Sequence, residues 1–499
     1  MEHLKYLKMY EYYKDLIQSG RLAAGEKLPS IRNGAQQFRL SRTTVEAAYL
    51  LLAAEGYVTS RPQSGYYVSG FGLPGKGSDP VRAEAEKKRL PVRYDFASAG
   101  VDRESFQFAL WRRYIKSALR QDERLLSYGE PQGERDLREE LSAWVSRHRN
   151  VVCTPDSIVV GAGVQSLLHI LCPLIRERQE VVFFNSTYRQ GRQVFEDHGM
   201  QTRPYAAVLQ EGWRKGEVCY LAPSQMTAWG DVMRMGERTK LLEEAGKRDL
   251  LIVEDDYNSE FRYYNRPTPS LQGLSGGRGV VYVGSFSRLL LPSIRLSYMV
   301  LPPELLGAYR ERAAFYNQTA SKAEQIALCQ FIRDGHLERQ LRKAKKLYAS
   351  KAQLLAEQIG NVFGDRAVPQ LGGAGFLVLV ELKTERTAKE VAARAAALGV
   401  AVRPVTEEEP EEIRPAEKSG EIRPAEKSGE IRPADKSEKK RSAEETAALR
   451  LSGETAPKEQ KKTAPGDGPR TRIVLSCTSL DAAYYEEALR LLYQAAFAP

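Results

Sequence analysis

The first seventy residues of the chain alternate apolar and polar positions in a way that predicts short helices followed by a hairpin. Apolar side chains recur at helical spacing from Leu7 to Ile17. Ser30 and Ser41 each precede a helical pattern, and a serine at that place accepts a hydrogen bond from a free backbone amide. Two short strand patterns then flank a turn within residues 57–68. This order of elements predicts a winged helix-turn-helix over residues 1–70.

A different pattern occupies most of the remaining chain. Residues 71–93 combine glycine, proline and a charged run without apolar periodicity, which predicts a linker. From Tyr94 onward, short apolar runs alternate with amphipathic helical patterns. This alternation is typical of a mainly parallel sheet covered by helices, so the sequence predicts a large α/β domain. The strand candidates are Ser157–Val160, Val181–Phe184, Glu217–Leu221, Leu250–Val253 and Val280–Val283.

A repeat-containing segment interrupts this large domain between residues 406 and 469. A nine-residue unit at 412–420 recurs identically at 421–429 and nearly so at 430–437. Each copy carries proline and mixed charge but few apolar residues, so burial cannot offset the loss of chain entropy. We therefore expect a disordered insertion, acting either as a solvated loop or as a lid or tether. The large domain would then comprise 94–405 and 470–499.

Composition narrows the classes of function. The chain has 499 residues and a formal net charge of +10, which permits a polyanionic partner without establishing one. Its five cysteines are scattered and odd in number, which argues against a disulfide framework and suits a reducing cytoplasm. Apolar runs long enough to cross a membrane are absent, and dispersed histidines give little support to metal chemistry. We therefore expect a cytoplasmic protein with no membrane partner and no metal.

The predicted winged helix carries side chains suited to DNA. The first turn of a recognition helix brings short polar and basic groups to phosphates and base edges. A serine-capped, solvated helix start is the alternative interpretation of the same residues taken singly. The candidate DNA-binding residues are Arg32, Ser41, Arg42, Thr43, Thr44, Arg61, Ser64 and Gly65.

The ordered series of motifs in this region resembles the GntR-type winged helix domains. Its motifs are Gly20-Arg21-Leu22, Leu28-Pro29-Ser30-Ile31-Arg32, Ser41-Arg42-Thr43-Thr44-Val45, Glu55-Gly56-Tyr57 and Ser64-Gly65. The resemblance implies DNA binding by this domain. One departure is Gly34, where the family usually has leucine. Glycine in a helix costs about 1 kcal/mol and removes a core side chain, so we expect a less stable second helix.

A second series of motifs lies in the large domain. Ser127-Tyr128-Gly129-Glu130-Pro131-Gln132-Gly133, Val253-Glu254-Asp255-Asp256-Tyr257 and Gly284-Ser285-Phe286-Ser287-Arg288 resemble fold-type I aminotransferases, which bind pyridoxal phosphate. The resemblance implies that fold, with a small C-terminal α+β domain. It assigns the phosphate to Gly163, Val164, Gln165, Ser285, Ser287 and Arg295. It assigns the pyridine ring to Tyr188, Asp255 and Tyr257, and a substrate carboxylate to Arg472. Taken singly, Gly163, Tyr188 and Asp255 also fit a turn, a core aromatic and a helix cap.

Arg288 is the largest departure from that family, since the resemblance assigns its position to the lysine that holds pyridoxal phosphate as a Schiff base. A Schiff base needs a primary amine with a free lone pair, whereas the lone pairs of a guanidinium are delocalised. Three alternatives follow. The site binds an unlinked anionic ligand, Arg288 pairs with Asp255 or a neighbour in an empty site, or another lysine such as Lys322 takes over. Arg288 is thus a candidate cofactor-binding residue, and no catalytic residue is predicted.

The two series together resemble the MocR/GabR-type transcription regulators. The resemblance implies a homodimer on paired DNA half-sites, with pyridoxal phosphate and an amino compound as effectors. Arg288 favours a cofactor bound without a covalent linkage and disfavours an enzymatic activity. We therefore expect a DNA-binding regulator with an aminotransferase-like sensor domain. The alternatives are an aminotransferase with a fused DNA-binding domain and a constitutive DNA-binding dimer without ligand.

Overall fold

The computed structural model describes residues 3–70, 92–98, 100–184, 188–227, 229–261, 268–373, 375–405 and 470–498. The chain divides into two compact units, Met1–Arg89 and Leu90–Pro499. Most of the expected linker and the whole repeat-containing insertion at 406–469 lie outside the described residues.

The first unit has three helices and a hairpin, as its sequence pattern predicts. Ser30 and Ser41 accept hydrogen bonds from the backbone amides of Asn33 and Thr44, at 3.2 and 3.1 Å, so both predicted helix caps are confirmed. Arg61 at the end of one strand faces Gly65 at the start of the next. The elements are α1 His3–Gln18, α2 Ile31–Phe38, α3 Arg42–Ala54, β1 Val58–Arg61 and β2 Gly65–Val68.

Gly34 lies buried in α2, where neighbouring side chains already fill the space beside it. A Cβ atom added there would lie 3.2 Å from Val45 Cγ1 and 3.4 Å from both Met9 Cε and Tyr49 Oη. Because interiors pack densely, the large Tyr49 side chain beside the small glycine limits the loss of core volume. The glycine still carries the entropic cost expected from the sequence.

The second unit is built on a mixed, mostly parallel sheet, which confirms the α/β prediction. Its strands are β3 Tyr94–Asp95, β4 Ile158–Gly161, β5 Glu180–Phe183, β6 Gln201–Pro204, β7 Val218–Leu221, β8 Leu251–Asp255, β9 Val280–Ser285, β10 Ser297–Val300, β11 Ala367–Leu371, β12 Leu377–Lys383, β13 Val400–Ala401, β14 Arg403–Pro404 and β15 Arg470–Ser476. Its helices are α4 Phe108–Ala118, α5 Asp122–Leu125, α6 Arg135–Arg149, α7 Val164–Leu171, α8 Arg189–Asp197, α9 Tyr205–Glu211, α10 Met235–Arg248, α11 Leu271–Leu274, α12 Pro303–Ala313, α13 Lys322–Arg333, α14 His336–Phe363, α15 Ala388–Ala397 and α16 Tyr485–Phe497.

The strand order of the main sheet explains where a site can form. Within the described ranges the order is β4-β10-β9-β8-β7-β5-β6, and β10 is antiparallel to both its neighbours. The inner strands are buried along their length because helices cover both faces. The carboxyl ends of β4, β9, β8, β7 and β5 therefore meet at one edge, the usual place for ligands in such sheets.

A smaller antiparallel sheet follows toward the C-terminus, in line with the expected α+β domain. Its order in the described part is β11-β12-β15-β14, and α14, α15 and α16 pack around it. β15 contains Arg472 and pairs that residue with Glu381 on β12. The short strands β3 and β13 pair in parallel elsewhere in this unit.

None of the helices in the described ranges is both long and apolar enough to cross a bilayer. In the same residues, histidine, cysteine and acidic side chains form no group of three or more that could hold a metal ion.

Candidate ligand and DNA sites

The predicted DNA-binding residues gather at two exposed places in the first unit. At the start of α3, the Ser41 hydroxyl lies 2.9 Å from the Thr43 hydroxyl and 2.6 Å from that of Thr44. Arg42 and Thr43 are exposed, Thr44 is half-buried, and Arg32 is exposed on α2. A helix start with free amides, hydroxyls and a guanidinium offers donors to phosphates and base edges.

The hairpin tip is the second place. The Arg61 guanidinium lies 4.4 Å from the centroid of the Tyr67 ring, and the Ser64 hydroxyl lies 2.6 Å from the Tyr67 hydroxyl. Gly65 has φ +109°, which allows the turn between the strands. Tyr67, which the sequence did not single out, thus orders the exposed Arg61 and Ser64 side chains.

In the second unit, the Gly163 turn meets Arg295 at the carboxyl edge of the main sheet. Register explains this contact, because Ser297 faces both Gly161 and Ser285, and Arg295 precedes it by two residues. Arg295 Nη2 donates to the carbonyl of Ala162 at 3.3 Å. A Cβ atom at Gly163 would lie 2.2 Å from Arg295 Nη2, so only glycine allows this approach. Val164 and Gln165 begin α7 directly after the turn.

Ser285 and Ser287 lie at the same edge of the sheet, with β10 between them and the strand that leads to this turn. Ser285 ends β9, and its hydroxyl donates to that of Ser287 at 3.2 Å while accepting from the Ser287 amide at 3.3 Å. These hydroxyls and the guanidinium of Arg295 are the groups that phosphate oxygens accept from. Strand register therefore places the residues that the resemblance assigns to a phosphate at one edge of the sheet.

Asp255 ends β8 at the same edge, and Tyr220 on β7 is its partner. The Tyr220 hydroxyl donates to Asp255 Oδ2 at 2.6 Å. Burial raises the pKa of Asp255 to about 6, although the hydrogen bond from Tyr220 acts in the opposite direction. Ionisation of a carboxyl group with such a pKa is unfavourable in the buried site, and a cationic partner would stabilise the ionised form.

Tyr188 stacks beside the same pair. Its ring centroid lies 5.8 Å from that of Tyr220 at an interplanar angle of 23°. Gly191 permits this position, because a Cβ atom there would lie 2.2 Å from Tyr188 Cε1. Burial raises the pKa of the Tyr188 hydroxyl, with the charge of Asp255 adding to the effect. Tyr188, Tyr220 and Asp255 therefore form one aromatic and acidic group.

Arg288 is buried with neutral acceptors around its guanidinium. Nη1 donates to the carbonyl of Gly100 at 3.0 Å and to the hydroxyl of Thr478 at 3.3 Å. Nη2 lies 3.4 Å from the Tyr257 hydroxyl, and Phe376 stacks with its centroid 4.4 Å from Cζ. The Nε atom is buried without a hydrogen-bond acceptor in the described residues. A buried cation without a counter-ion is costly, so this guanidinium is suited to binding an anion.

Asp255 and Lys322, the residues named in the two other interpretations of the Arg288 site, both bond to other groups. Asp255 accepts from Tyr220, and no carboxylate in the described part of the chain pairs with Arg288. The ion pair considered between Arg288 and Asp255 is therefore wrong for this structure. Lys322 Nζ donates to the Ser127 carbonyl at 3.1 Å and to the Ser127 hydroxyl at 3.0 Å. Lys322 Nζ also lies 3.9 Å from Glu134 Oε1. The side chain of this lysine is therefore bonded to the segment that contains Ser127 and Glu134.

Arg472, the residue expected to bind a carboxylate, lies on β15. Its guanidinium carbon is 5.6 Å from the centroid of the Trp229 ring. A cation–π contact of this kind helps to hold a guanidinium in place.

A buried ion pair supports the loop that follows β8. Arg149 Nε and Nη2 donate to the two carboxylate oxygens of Asp256 at 2.7 and 2.9 Å. The hydroxyls of Tyr282 and Ser259 donate to the same carboxylate at 2.5 and 2.8 Å. Burial alone would raise the pKa of Asp256, but the charge and hydrogen bonds of Arg149 hold it below its ordinary value. This network fixes the backbone between Asp255 and Tyr257.

Both units of the chain match known protein families. The profile of bacterial regulatory proteins of the gntR family matches residues 5–68, and that of aminotransferase class I and II matches residues 102–416. The uncharacterized HTH-type transcriptional regulator YdeL of Bacillus subtilis is 34% identical over 414 residues, covering 80% of this chain and 89% of that protein. The chain belongs to the MocR/GabR-type transcription regulators.

Other members carry more informative names. The probable rhizopine catabolism regulatory protein MocR of Rhizobium meliloti is 29% identical over 372 residues, covering 70% of this chain and 75% of that protein. Among solved structures, the α-aminoadipate aminotransferase LysN of Thermus thermophilus has a TM-score of 0.59 at 20% identity, covering 80% of this chain and 91% of that one. At that identity the likeness shows the fold alone. This regulator therefore joins a GntR winged helix to an aminotransferase-like domain.

Replacing Asp255 by asparagine should change how the stability of this regulator depends on pH. The folded pKa of Asp255, about 6, lies above the ordinary value of 3.8, so ionisation opposes folding as pH rises from about 4 through 6. Asp255→Asn should therefore gain stability relative to the natural protein at pH 8 compared with pH 4. Urea unfolding at the two pH values measures this difference. An equal difference in the free energy of unfolding between the two proteins at pH 4 and pH 8 would contradict the raised pKa of Asp255.

Proposed function

We propose that this transcription regulator senses a phosphate-bearing ligand of the pyridoxal phosphate type, held without a covalent bond. The observation that carries the proposal is the buried Arg288 guanidinium, which occupies the position that the resemblance gives to the cofactor lysine. Its Nε atom lacks an acceptor among the described residues, so a bound anion would stabilise it. The alternative of an aminotransferase is disfavoured, because a guanidinium does not form the linkage on which that chemistry depends.

The residues at the carboxyl edge of the main sheet fit such a ligand. Gly163, Val164, Gln165, Ser285, Ser287 and Arg295 would hold the phosphate. Tyr188 would stack on the ring, while Asp255 and Tyr257 would pair with its polar groups. When bound to enzymes, pyridoxal phosphate supplies an electron sink; here we propose that it serves as a signal. LysN itself was solved with N-(5'-phosphopyridoxyl)-L-leucine, a ring of this type joined to an amino acid.

A cytoplasmic regulator of this type would act on paired operator half-sites. The ligand would favour one arrangement of the large domain, and its effect on DNA binding cannot exceed its differential affinity for the two arrangements. An amino compound with a carboxylate near Arg472 would be a second effector. Anisotropy of labelled operator DNA, recovered by selection from random duplexes, tests the coupling. Equal DNA affinity with and without pyridoxal phosphate, despite measured ligand binding, would contradict it.

We also propose that the regulator is a homodimer, and one exposed apolar surface supports this. Leu126 and Tyr128 are 89% and 99% exposed, and Phe315 is 86% exposed. The two segments that bear them are tied together, since Lys322 donates to Ser127 and Gln318 donates to Pro131 at 3.2 Å. Large apolar side chains exposed together on a folded unit are typical of an interface.

Phe315→Asp should shift the regulator from dimer toward monomer. A charge in an apolar interface costs several kcal/mol, and two-fold symmetry places it in the interface twice. Sedimentation velocity measures the ratio of the two species at micromolar concentration. Leu209→Asp is the matched control, because Leu209 is 61% exposed on α9. A monomeric natural protein, or a Phe315→Asp variant as dimeric as the control, would contradict the proposal.

A further inference from the structure

The edge of the Arg288 guanidinium formed by Nε and Nη2 defines the chemistry of its partner. Of the described groups, Nε has no acceptor, and Nη2 has a single long hydrogen bond of 3.4 Å to Tyr257. Nη1, by contrast, is engaged by the carbonyl of Gly100 and the hydroxyl of Thr478. The guanidinium is therefore anchored through one nitrogen, while the opposite edge keeps donors to spare.

Elsewhere in this protein the same edge holds carboxylates. Arg149 uses Nε and Nη2 to bind both oxygens of Asp256, at 2.7 and 2.9 Å. Arg124 uses the same two nitrogens toward Glu134, at 2.9 and 2.6 Å. The planar fork of a guanidinium matches a carboxylate in this geometry. The Nε–Nη2 edge of Arg288 thus has the donor pattern of a carboxylate site.

The nearby acidic groups of the chain are committed to other partners. Asp102 accepts from Lys351 within the buried segment beside Gly100. Asp255 accepts from Tyr220, and Asp256 is bound by Arg149. None of the described carboxylates therefore neutralises Arg288, although its side chain is more than nine-tenths buried. A bound anion would supply the counter-charge that the described carboxylates do not give to Arg288.

The proposed function assigns the phosphate of a ligand to residues other than Arg288. Ser285 and Ser287 bond to each other at the end of β9, and Arg295 bonds to Ala162 next to the Gly163 turn. Arg288 instead faces Tyr257 and stacks on Phe376. A ligand that binds both to the phosphate residues and to Arg288 needs two anionic groups. Because the guanidinium of Arg288 is planar and stacked on Phe376, it favours a planar anionic group.

We infer that the ligand of this regulator carries a carboxylate against Arg288 in addition to its phosphate. This inference rests on the proposed function and specifies the ligand class: a phosphorylated pyridine, or similar ring, with a carboxylate where pyridoxal phosphate has its aldehyde. An aldehyde offers the guanidinium a neutral acceptor, whereas a carboxylate supplies the compensating charge. With arginine in place of the family's lysine at position 288, the site would therefore favour an acid over an aldehyde.

Calorimetric titration of the full-length protein with two probes tests this inference. The probes are pyridoxal 5'-phosphate and 4-pyridoxic acid 5'-phosphate, which differ in the aldehyde and the carboxylate. The natural protein should bind the acid at least about tenfold more tightly. Arg288→Gln should reduce that ratio to about twofold or less, whereas Arg312→Gln, on α12, should leave it unchanged. Circular dichroism checks that both variants are folded.

Each remaining outcome has a distinct meaning. Equal or tighter binding of the aldehyde by the natural protein would overturn the inference and leave the proposed function standing. A preference for the acid that survives in Arg288→Gln would also overturn it, since another residue would then carry the selection. Failure of the natural protein to bind either probe would overturn the proposed function itself. Arg288→Lys should bind the aldehyde better than the acid.

Discussion

Replacing Asp256 by alanine should lower the free energy of unfolding of the large unit by about 3–5 kcal/mol. The substitution leaves Arg149 buried without its carboxylate partner, and the hydroxyls of Tyr282 and Ser259 lose their acceptor as well. Removing one member of a buried ion pair costs far more than the pair contributes, because the remaining charge stays desolvated. Urea unfolding followed by tryptophan fluorescence measures the loss.

Glu139→Ala on the same helix as Arg149 is the matched control. Glu139 pairs with Arg135 at 3.0 Å, but both side chains are about half exposed. Exposed pairs contribute about 1 kcal/mol or less, so the control should unfold almost like the natural protein. Since the folded pKa of Asp256 is below its ordinary value, the stability that it contributes is present above about pH 4 and is lost as pH falls through the folded pKa. Equal unfolding of both variants would contradict the assigned network.

Arg42→Ala should weaken binding of operator DNA by at least about tenfold. Each specific guanidinium contact contributes about 1–3 kcal/mol, and the proposed dimer would lose it at both half-sites. Arg42 is exposed at the start of α3, beside the hydroxyls of Ser41 and Thr43. Anisotropy titrations at several salt concentrations measure the affinity, and the salt dependence should become shallower if Arg42 contacts phosphate.

Arg21→Ala provides a comparison within the same unit. Arg21 Nε donates to the Ser19 hydroxyl at 3.0 Å, after α1 and away in sequence from α3. Its removal should change affinity less than the removal of Arg42. Indistinguishable affinities of the two variants would mean that α3 is not the element that reads the operator.

The fold was largely predictable because its signals are local. Ser30 and Ser41 mark helix starts, the buried strand β7 is a continuous apolar run, and β8 begins with one. The strands β6 and β10 of the main sheet were missed. The residues of β6, Gln201–Pro204, are polar and partly exposed at the edge of the sheet, and β10 is a buried strand of four residues, Ser297–Val300. The predicted ends of β8 and β9 came too early for a similar reason, because these strands end in the polar residues Asp255 and Ser285.

The candidate site was predictable only where motifs mark it. Asp255, Ser285 and Arg295 belong to recognisable series, and strand register brings them to one edge. Tyr220, which donates to Asp255, gave no such signal because an aromatic inside a strand usually packs in the core. Gly100 and Thr478 are 188 and 190 residues from Arg288 in the chain, so only the fold places them beside it.

The central claim is that the large domain binds pyridoxal phosphate or a related anion without a covalent bond. Equilibrium dialysis of the natural protein against pyridoxal phosphate, followed by borohydride reduction and intact mass measurement, tests it most directly. We expect saturable binding with no added mass on the natural protein, and an added mass equal to one reduced cofactor in Arg288→Lys. Added mass on the natural protein would contradict the claim by showing that another lysine forms the linkage. Failure of the natural protein to bind either pyridoxal phosphate or 4-pyridoxic acid 5'-phosphate would contradict it by showing that this ring is not its ligand.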